Sequence, residues 1–213
     1  LPSDFWVWGE HTRNVIGQWC DNNKAHHVRI VGNAWLKYFE TGLTPHSSTA
    51  PFSRYSDDSR IYILVSLQAF PEQYCDFVTE AIKASPNTWC WIVREHPRAL
   101  LSPAQKQTHF GALTAQGKVC FESAVSLYAL LSTVNIAAHL TAFSTVAFEC
   151  EYFGIPTVFF HPNGIEGNAD IIAANWQFQA ANDAKALLEE IQGFVGRKVR
   201  TPVYMSKDVT VVE

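Results

Sequence analysis

The pattern that most constrains the fold is an alternation of short apolar runs with longer segments of helical periodicity, which repeats without a break from about residue 60 to residue 193. The predicted strands are Ile61–Leu67, Thr88–Val93, Lys118–Phe121, Ile136–His139 and Thr157–Phe160, with Trp176–Gln179 as a weaker sixth. The predicted helices span about 72–84, 103–116, 125–132, 144–153, 166–174 and 183–193. Strands that are apolar on both faces and joined by helices form a parallel sheet covered on both sides. The sequence therefore predicts a doubly wound, Rossmann-like α/β fold.

The composition agrees with a chain that buries a large core. Of the 213 residues, 47% are hydrophobic and 17% are charged, and this balance excludes a disordered chain. The tryptophans fall mostly in apolar segments, which predicts packing in the core or between domains. The net charge is −4 and the lysines and arginines are scattered, so nucleic acid is not an expected partner.

The sequence contains neither a bilayer-spanning run nor a signal-peptide pattern. No apolar stretch approaches the roughly 18 residues that a transmembrane helix requires, and the amino terminus lacks a basic segment followed by an apolar one. These features predict a cytoplasmic protein, and peripheral membrane association of the full-length protein stays open. The chain starts at Leu1-Pro2 without a methionine, which suggests a fragment of a longer protein.

The cysteines and histidines predict neither disulfides nor a metal site. The cysteines are odd in number, lack CxxC spacing and lie partly in apolar runs, so we expect reduced core residues. They are Cys20, Cys75, Cys90, Cys120 and Cys150. The pairs Glu10-His11 and His26-His27 have no third ligand at a useful spacing, and no metal is expected.

Three regions are predicted along the chain. Residues 1–60 contain two strand-like runs, Phe5–Trp8 and His27–Val31, and end in a Ser-, Thr- and Pro-rich tract over 44–59 that we interpret as a linker or mobile loop. Residues 61–194 form the Rossmann-like domain. Residues 195–213 form a tail, and whether it docks as a returning helix or strand is left open.

The most specific local pattern is Ser144–Glu149, which is followed by Gly154-Ile155-Pro156 and a buried strand. Ser144 stands where a helix N-cap is expected, and free amides at a helix amino terminus bind phosphate. Thr145 and Glu149 are four residues apart and share one helix face. A hydroxyl near the phosphates and a carboxylate that accepts ribose hydroxyls suit a nucleotide. The alternative is a capped crossover helix with a solvated glutamate.

A second pattern, His96-Pro97, follows the second strand of the main domain. Proline holds His96 outside the helical region, which aims the imidazole into the crevice at the end of the sheet, where it offsets charge on a departing phosphate. His96 is therefore the predicted catalytic residue, with a plain strand-terminating turn as the alternative. The neighbouring Arg94 pairs either with a phosphate or with a carboxylate.

Other polar residues near strand ends complete the predicted site. Ser66 and Gln68 end the first strand of the main domain and are expected to face the crevice. His139 ends a strand five residues before Ser144 and is either a phosphate contact or a satisfied core histidine. Glu122 follows the third strand, where groups that recognise the base often lie.

The run S-T-x-x-x-E-x-x-x-x-G-x-P from Ser144 to Pro156 resembles the donor-binding segment of GT-B glycosyltransferases and of related sugar-nucleotide epimerases. This resemblance implies that Ser144, Thr145 and Glu149 hold the donor's phosphate and ribose. The His96-Pro97 pair resembles bacterial CMP-sugar-using sialyl- and Kdo-transferases and capsule-polymer transferases, in which the histidine meets the nucleotide phosphate.

The resemblance implies the donor-binding half of a glycosyltransferase. The donor is a CMP- or UDP-linked sugar that serves as substrate, no cofactor is needed, and the acceptor is a saccharide or lipid-linked molecule in surface-polysaccharide assembly. The catalytic base is expected from a missing N-terminal acceptor domain. Two alternatives stay open: a sugar-nucleotide epimerase or hydrolase of the same fold, and a non-catalytic Rossmann-like interaction domain.

Overall fold

The computed structural model describes residues 2–21, 26–41, 50–68, 72–197 and 202–209. The strands within these ranges are β1 Asp4–Val7, β2 His27–Ile30, β3 Ile61–Ser66, β4 Trp89–Arg94, β5 Val119–Phe121, β6 Ile136–Thr141, β7 Thr157–Phe159 and β8 Phe178–Ala180. The helices are α1 Glu10–Asp21, α2 Ala34–Glu40, α3 Glu72–Ala84, α4 Pro103–Ala115, α5 Leu127–Thr133, α6 Val146–Tyr152, α7 Pro162–Gly167, α8 Ala169–Ala174 and α9 Ala184–Phe194. A 3-10 helix spans Ala50–Tyr55.

The main sheet confirms the predicted doubly wound fold. Its strand order is β5-β4-β3-β6-β7-β8, and every neighbouring pair is parallel. The order reverses between β3 and β6, because the chain first builds the sheet outward through β4 and β5 and then returns to the other side of β3. The crevice at the carboxyl ends of β3 and β6 is therefore the topological switch point, where sheets of this kind bind ligands.

The central strands are buried on both faces, which explains why they are mostly apolar. In β3, Ile63 and Val65 pack into one hydrophobic core while Tyr62 and Leu64 pack into a second core on the opposite face. Successive side chains of a strand point to opposite faces of the sheet, so a strand between two helical layers is mostly apolar along its length, and the buried polar side chains near the ends of β3 and β6 need hydrogen-bond partners.

The described part of residues 1–60, which we call the first segment, contains a separate two-stranded parallel sheet. In this sheet Asp4 pairs with His27 and Val7 with Ile30. This sheet packs against residues 202–209, which we call the C-terminal segment. The Ser206 amide donates to the Trp8 carbonyl at 2.6 Å. A Cβ atom at Gly9 would lie 2.2 Å from a carbonyl oxygen of the C-terminal segment, so this approach requires glycine.

An ion-pair cluster at Glu40 also joins the first segment to the rest of the protein. Burial alone would raise the pKa of Glu40, but hydrogen bonds from Lys207, Lys37 and Tyr152 lower it to about 2. Three separate parts of the chain thus meet at one carboxylate: helix α2, helix α6 and the C-terminal segment.

The structure corrects part of the predicted linker over 44–59. Residues 50–55 form a 3-10 helix, Tyr55 is buried, and its hydroxyl donates to Glu122 at 2.9 Å. This part is anchored to the sheet because the hydroxyl satisfies a buried carboxylate. Residues 44–49 lie outside the described residues. The predicted boundaries at 60 and 194 stay predictions.

The cysteines and tryptophans divide between core and surface. Cys20, Cys90 and Cys150 are buried and, like the half-buried Cys120, carry free thiols, as expected of reduced core cysteines. The side chain of Cys75 lies outside the described residues. Trp89 and Trp91 belong to the core, but the core interpretation is wrong for four exposed tryptophans, Trp6, Trp8, Trp19 and Trp35.

Candidate functional site

Ser66, Gln68 and His139 meet at the switch point in a buried hydrogen-bond network. The Ser66 hydroxyl lies 3.0 Å from His139 Nε2. Thr141 Oγ1 donates to the Ser66 carbonyl at 3.2 Å and accepts from Gln68 Nε2 at 3.4 Å. Ser66 and Gln68 are both buried and bond to Thr141 and, for Ser66, to His139, so they present little surface to a ligand.

His139 lies inside the sheet. Strand β6 continues to Thr141, two residues beyond the predicted end, which places His139 within the buried strand. The imidazole is fully buried, and its Nδ1 lies 3.0 Å from the Thr157 hydroxyl while Nε2 meets Ser66. Burial lowers the pKa of His139 to about 3 because the charged ring loses its solvation. The alternative of a satisfied core histidine describes this residue.

Ser144 was the predicted N-cap, but it lies one residue before the N-cap of α6, which is Thr145 and makes no side-chain capping bond. The Ser144 hydroxyl accepts the Val146 amide at 3.2 Å, and its carbonyl accepts the Ala147 amide at 3.2 Å. Its own amide donates to Thr141 Oγ1 at 3.2 Å. Several amides of this turn are therefore already satisfied, and the Ser144 hydroxyl stabilises the short helix.

Arg94 and Glu122 organise the loop between β5 and α5. Glu122 is buried, and its Oε1 accepts the amides of Ala124 and Val125 at 2.9 and 3.1 Å. Its Oε2 accepts from Arg54 and from the Tyr55 hydroxyl. Arg94 donates to the Val125 carbonyl at 2.8 Å, and among the described residues no carboxylate pairs with it. Both oxygens of Glu122 are occupied, so it is not free to recognise a base.

His96 and Pro97 form a turn of their own after β4. His96 Nδ1 accepts the Arg98 amide at 3.1 Å, and the His96 carbonyl accepts the Ala99 amide at 2.9 Å. A neutral ring that accepts through Nδ1 carries its proton on Nε2, so His96 presents a hydrogen-bond donor. Because β4 and β6 flank β3, the ends of β4 and β6 are separated by about 10 Å.

Thr145 and Glu149 line a cavity of about 470 Å³. Together with Phe148 they form the wall of the cavity at α6. Trp8 and His11 of the first segment form the opposite wall. The volume lies within the range of small-molecule sites, roughly 300–1,000 Å³. His96 and Ser144 are not among the described residues that line it.

The C-terminal segment closes one side of this cavity. Tyr204 and Met205 contribute to its lining, and the Tyr204 ring lies 4.9 Å from the His11 ring. The segment is held by Glu151, a fully buried carboxylate on α6 that accepts the Val203 and Tyr204 amides at 2.9 and 3.1 Å. Burial raises the pKa of Glu151, and these amides oppose the rise by bonding its charged form.

Glu149 is the acidic group of the cavity. Burial raises its pKa, and a hydrogen bond of 3.0 Å from the Tyr128 hydroxyl to Oε1 opposes that rise. Burial and, to a smaller extent, the nearby negative charge of Glu149 and its hydrogen bond raise the pKa of Tyr128 to about 12. Within the described residues Oε2 of Glu149 has no donor, so it can accept hydroxyl groups of a ligand.

Sequence reasoning missed several residues that build this cavity. In the sequence His11 stands out only beside Glu10, where no metal is expected, and Tyr128 lies within the predicted helix over about 125–132 with no role of its own. Tyr204 and Glu151 carry no local signal, because the contact between them depends on residues 53 positions apart. The described residues contain no cluster of His, Cys, Asp or Glu that could hold a metal ion.

Membrane insertion finds no support in the described helices. None of them is long and apolar enough to cross a bilayer.

The comparisons with known proteins concern the fold. No protein-family model and no curated protein sequence matches this chain. Among solved structures, the UDP-GlcNAc 2-epimerase of Methanocaldococcus jannaschii, in complex with UDP-GlcNAc and UDP, aligns over 96% of this chain and 58% of its own, with 16% identity and a TM-score of 0.64. The UDP-GlcNAc 2-epimerase of Neisseria meningitidis, bound to UDP-GlcNAc, aligns over 92% and 55%, with 13% identity and a TM-score of 0.63.

A sucrose-phosphate synthase of Thermosynechococcus elongatus is also similar. It aligns over 90% of this chain and 49% of its own, with 15% identity and a TM-score of 0.51. The chain thus spans little more than half the length of the two epimerases and about half that of the synthase. Together with the parallel sheet order, these similarities show a Rossmann-like half of a GT-B architecture.

Proposed function

We propose that this chain is the nucleotide-sugar-binding half of a GT-B glycosyltransferase and that the donor binds in the cavity lined by Thr145 and Glu149. One observation carries the proposal: a half-buried carboxylate with a free oxygen lies on the helix that follows the central strand β6, inside a cavity large enough for a small molecule. Carboxylates accept the vicinal hydroxyls of a ribose, and Thr145 supplies a hydroxyl for the phosphates.

The remaining half of the site is assigned to a preceding domain. Residues 1–60 are proposed to end the acceptor-side domain, because their sheet is separate from the main one and because Trp8, after β1, and His11, on α1, line the cavity. Residues 61–194 form the donor-binding domain and residues 195–213 form a tail, of which residues 202–209 pack against the first segment. The acceptor, a saccharide or lipid-linked molecule, and the catalytic base belong to the part of the enzyme that precedes this chain.

Catalysis by the proposed enzyme depends on stabilising the departing nucleotide. Negative charge grows on its phosphate as the bond to the sugar breaks, and donors already in place lower that barrier. His96 does not line this cavity, so its contact to the leaving phosphate from the β4 turn, through an available Nε2–H, is a separate proposal. Its contribution is tested separately from that of Glu149 by His96→Ala.

A ligand panel tests the proposal directly. Melting temperatures are measured with UDP, CMP, GDP, CDP and their sugar conjugates. A ligand present at a hundred times its dissociation constant adds about 2.7 kcal/mol, which raises the melting temperature of a domain of this size by roughly 5–10 °C. We expect UDP or CMP to give that rise.

Glu149→Gln separates the proposed cavity from other nucleotide sites. Loss of the charged acceptor should weaken nucleotide affinity roughly tenfold or more, because hydrogen bonds to charged groups contribute about 1.5–3 kcal/mol. The control is Glu189→Gln, at an exposed glutamate of α9. Equal shifts in wild type and Glu149→Gln, or no shift with any nucleotide, would refute the proposal.

A second candidate is a sugar-nucleotide epimerase of the same fold, which the similarity to two UDP-GlcNAc 2-epimerases favours. The two functions differ in their need for an acceptor. The full-length enzyme is incubated with its nucleotide-sugar alone. An epimerised nucleotide-sugar supports the epimerase, and an altered free sugar together with free nucleotide supports an epimerase that also hydrolyses the bond to the nucleotide. Product that forms only when an acceptor is added supports the transferase.

A further inference from the structure

The donor cavity lacks a strong positive charge. Among the described residues that line it there is no lysine or arginine, and the acidic Glu149 lies on the α6 wall. A nucleotide brings one or two phosphates into this space, next to that carboxylate. Phosphate oxygens in a partly desolvated site need donors, preferably ones that can carry positive charge.

His11 is the one basic side chain among these lining residues. It lies in the first turn of α1, on the wall opposite α6, and it is half-buried. Its ring packs against Tyr204 at 4.9 Å with an angle of 59° between the planes, which orients the imidazole. Neither ring nitrogen has a hydrogen-bond or ion-pair partner among the described residues. A buried or half-buried imidazole with free nitrogens and a fixed ring plane is suited to a ligand contact.

We propose that His11 donates a hydrogen bond to a phosphate oxygen of the bound nucleotide, across the cavity from Glu149. This assignment rests on the proposed function. It divides the recognition between two walls: Glu149 on α6 binds the hydroxyls of the nucleoside, and His11 on α1 binds the phosphate. The first segment then contributes directly to donor binding.

The test uses ligands with and without phosphate. Affinities for UDP and uridine, and in parallel for CMP and cytidine, are measured by calorimetry on the wild type, His11→Phe, His11→Gln and Glu149→Gln. Phenylalanine retains the ring contact with Tyr204 and removes the donor, whereas glutamine retains a donor. The control is His109→Phe on α4, remote from the cavity.

We expect His11→Phe to weaken nucleotide binding by about tenfold or more and to leave nucleoside binding unchanged, while His11→Gln retains part of the affinity. Glu149→Gln should weaken nucleotide and nucleoside alike. If His11→Phe binds UDP and CMP as the wild type does while Glu149→Gln is impaired, the role of His11 is refuted and the donor cavity stands. If no nucleotide binds the wild type, both assignments fail.

Discussion

Lowering the pH from 7 to 5 is expected to destabilise the protein by about 2 kcal/mol through His139 alone. Burial lowers the pKa of His139 from 6.5 to about 3 in the folded protein. As the pH falls below 6.5, His139 of the unfolded chain binds a proton, whereas His139 of the folded chain stays neutral until the pH approaches 3. Between pH 6.5 and pH 3, the free energy of unfolding therefore falls as the pH falls. A pH of 5 is about 1.5 units below the pKa of the histidine in the unfolded chain, and each unit lowers the free energy of unfolding by about 1.36 kcal/mol.

The variant His139→Gln isolates this effect. Glutamine does not titrate, yet its amide can still bond to the hydroxyls of Ser66 or Thr157, which lie 3.0 Å from the imidazole nitrogens. Urea unfolding at pH 7 and pH 5 gives the loss of stability for each protein, and titration of the carboxylates cancels in the difference. The wild type should lose about 2 kcal/mol more than the variant. An equal loss in both would show that His139 is not held neutral in the core.

Two further substitutions test how the cavity is built. Glu151→Ala removes the acceptor of two backbone amides of the C-terminal segment and should lower the free energy of unfolding by about 3 kcal/mol or more. Hydrogen exchange at those two amides should become faster. The control, Glu189→Ala at the surface, should change the free energy of unfolding by about 0.5 kcal/mol or less. Gly164→Ala places a Cβ 1.8 Å from the Ala142 carbonyl oxygen and should destabilise the protein by about 2 kcal/mol or more at the contact between α7 and the β6–α6 loop. The control is Gly167→Ala on the same helix, which has open space around it and should be neutral or slightly stabilising. Comparable stabilities of the two alanine variants would contradict this packing.

The fold was predictable because its signal is local. Strands such as β3 and β4 lie between two helical layers, so all of their positions except the last are apolar, and this apolar run is visible without knowledge of any partner. Helix α4 was also predicted, over about 103–116, and the structure shows a capping box of Ser102 and Gln105 around Pro103 at its start. The predicted end of β6 at His139 was two residues too early, because polar residues such as His139 and Thr141 locally indicate the end of a strand. Both side chains are buried inside the sheet, where they bond to residues of neighbouring strands.

The candidate site was predictable only as a set of loops. Parallel strands bring their carboxyl ends to one edge, so the sequence determined that Ser66, His96, Glu122 and Ser144 lie near that edge. It did not determine which side chains are free. Glu122 already accepts a hydrogen bond from Arg54, 68 positions away along the chain, and no sequence pattern near either residue predicts that contact.

What the sequence alone determined is the alternation of strands and helices, and with it the parallel sheet and the helix that follows Thr145 and carries Glu149. What only the tertiary structure decided is the cavity itself, because its walls come from α1, α6 and the C-terminal segment, which are far apart along the chain. Periodicity and capping act over a few residues, whereas the approach of Gly9 to Tyr204 and the pairing of Glu151 with its backbone amides depend on how the whole chain packs.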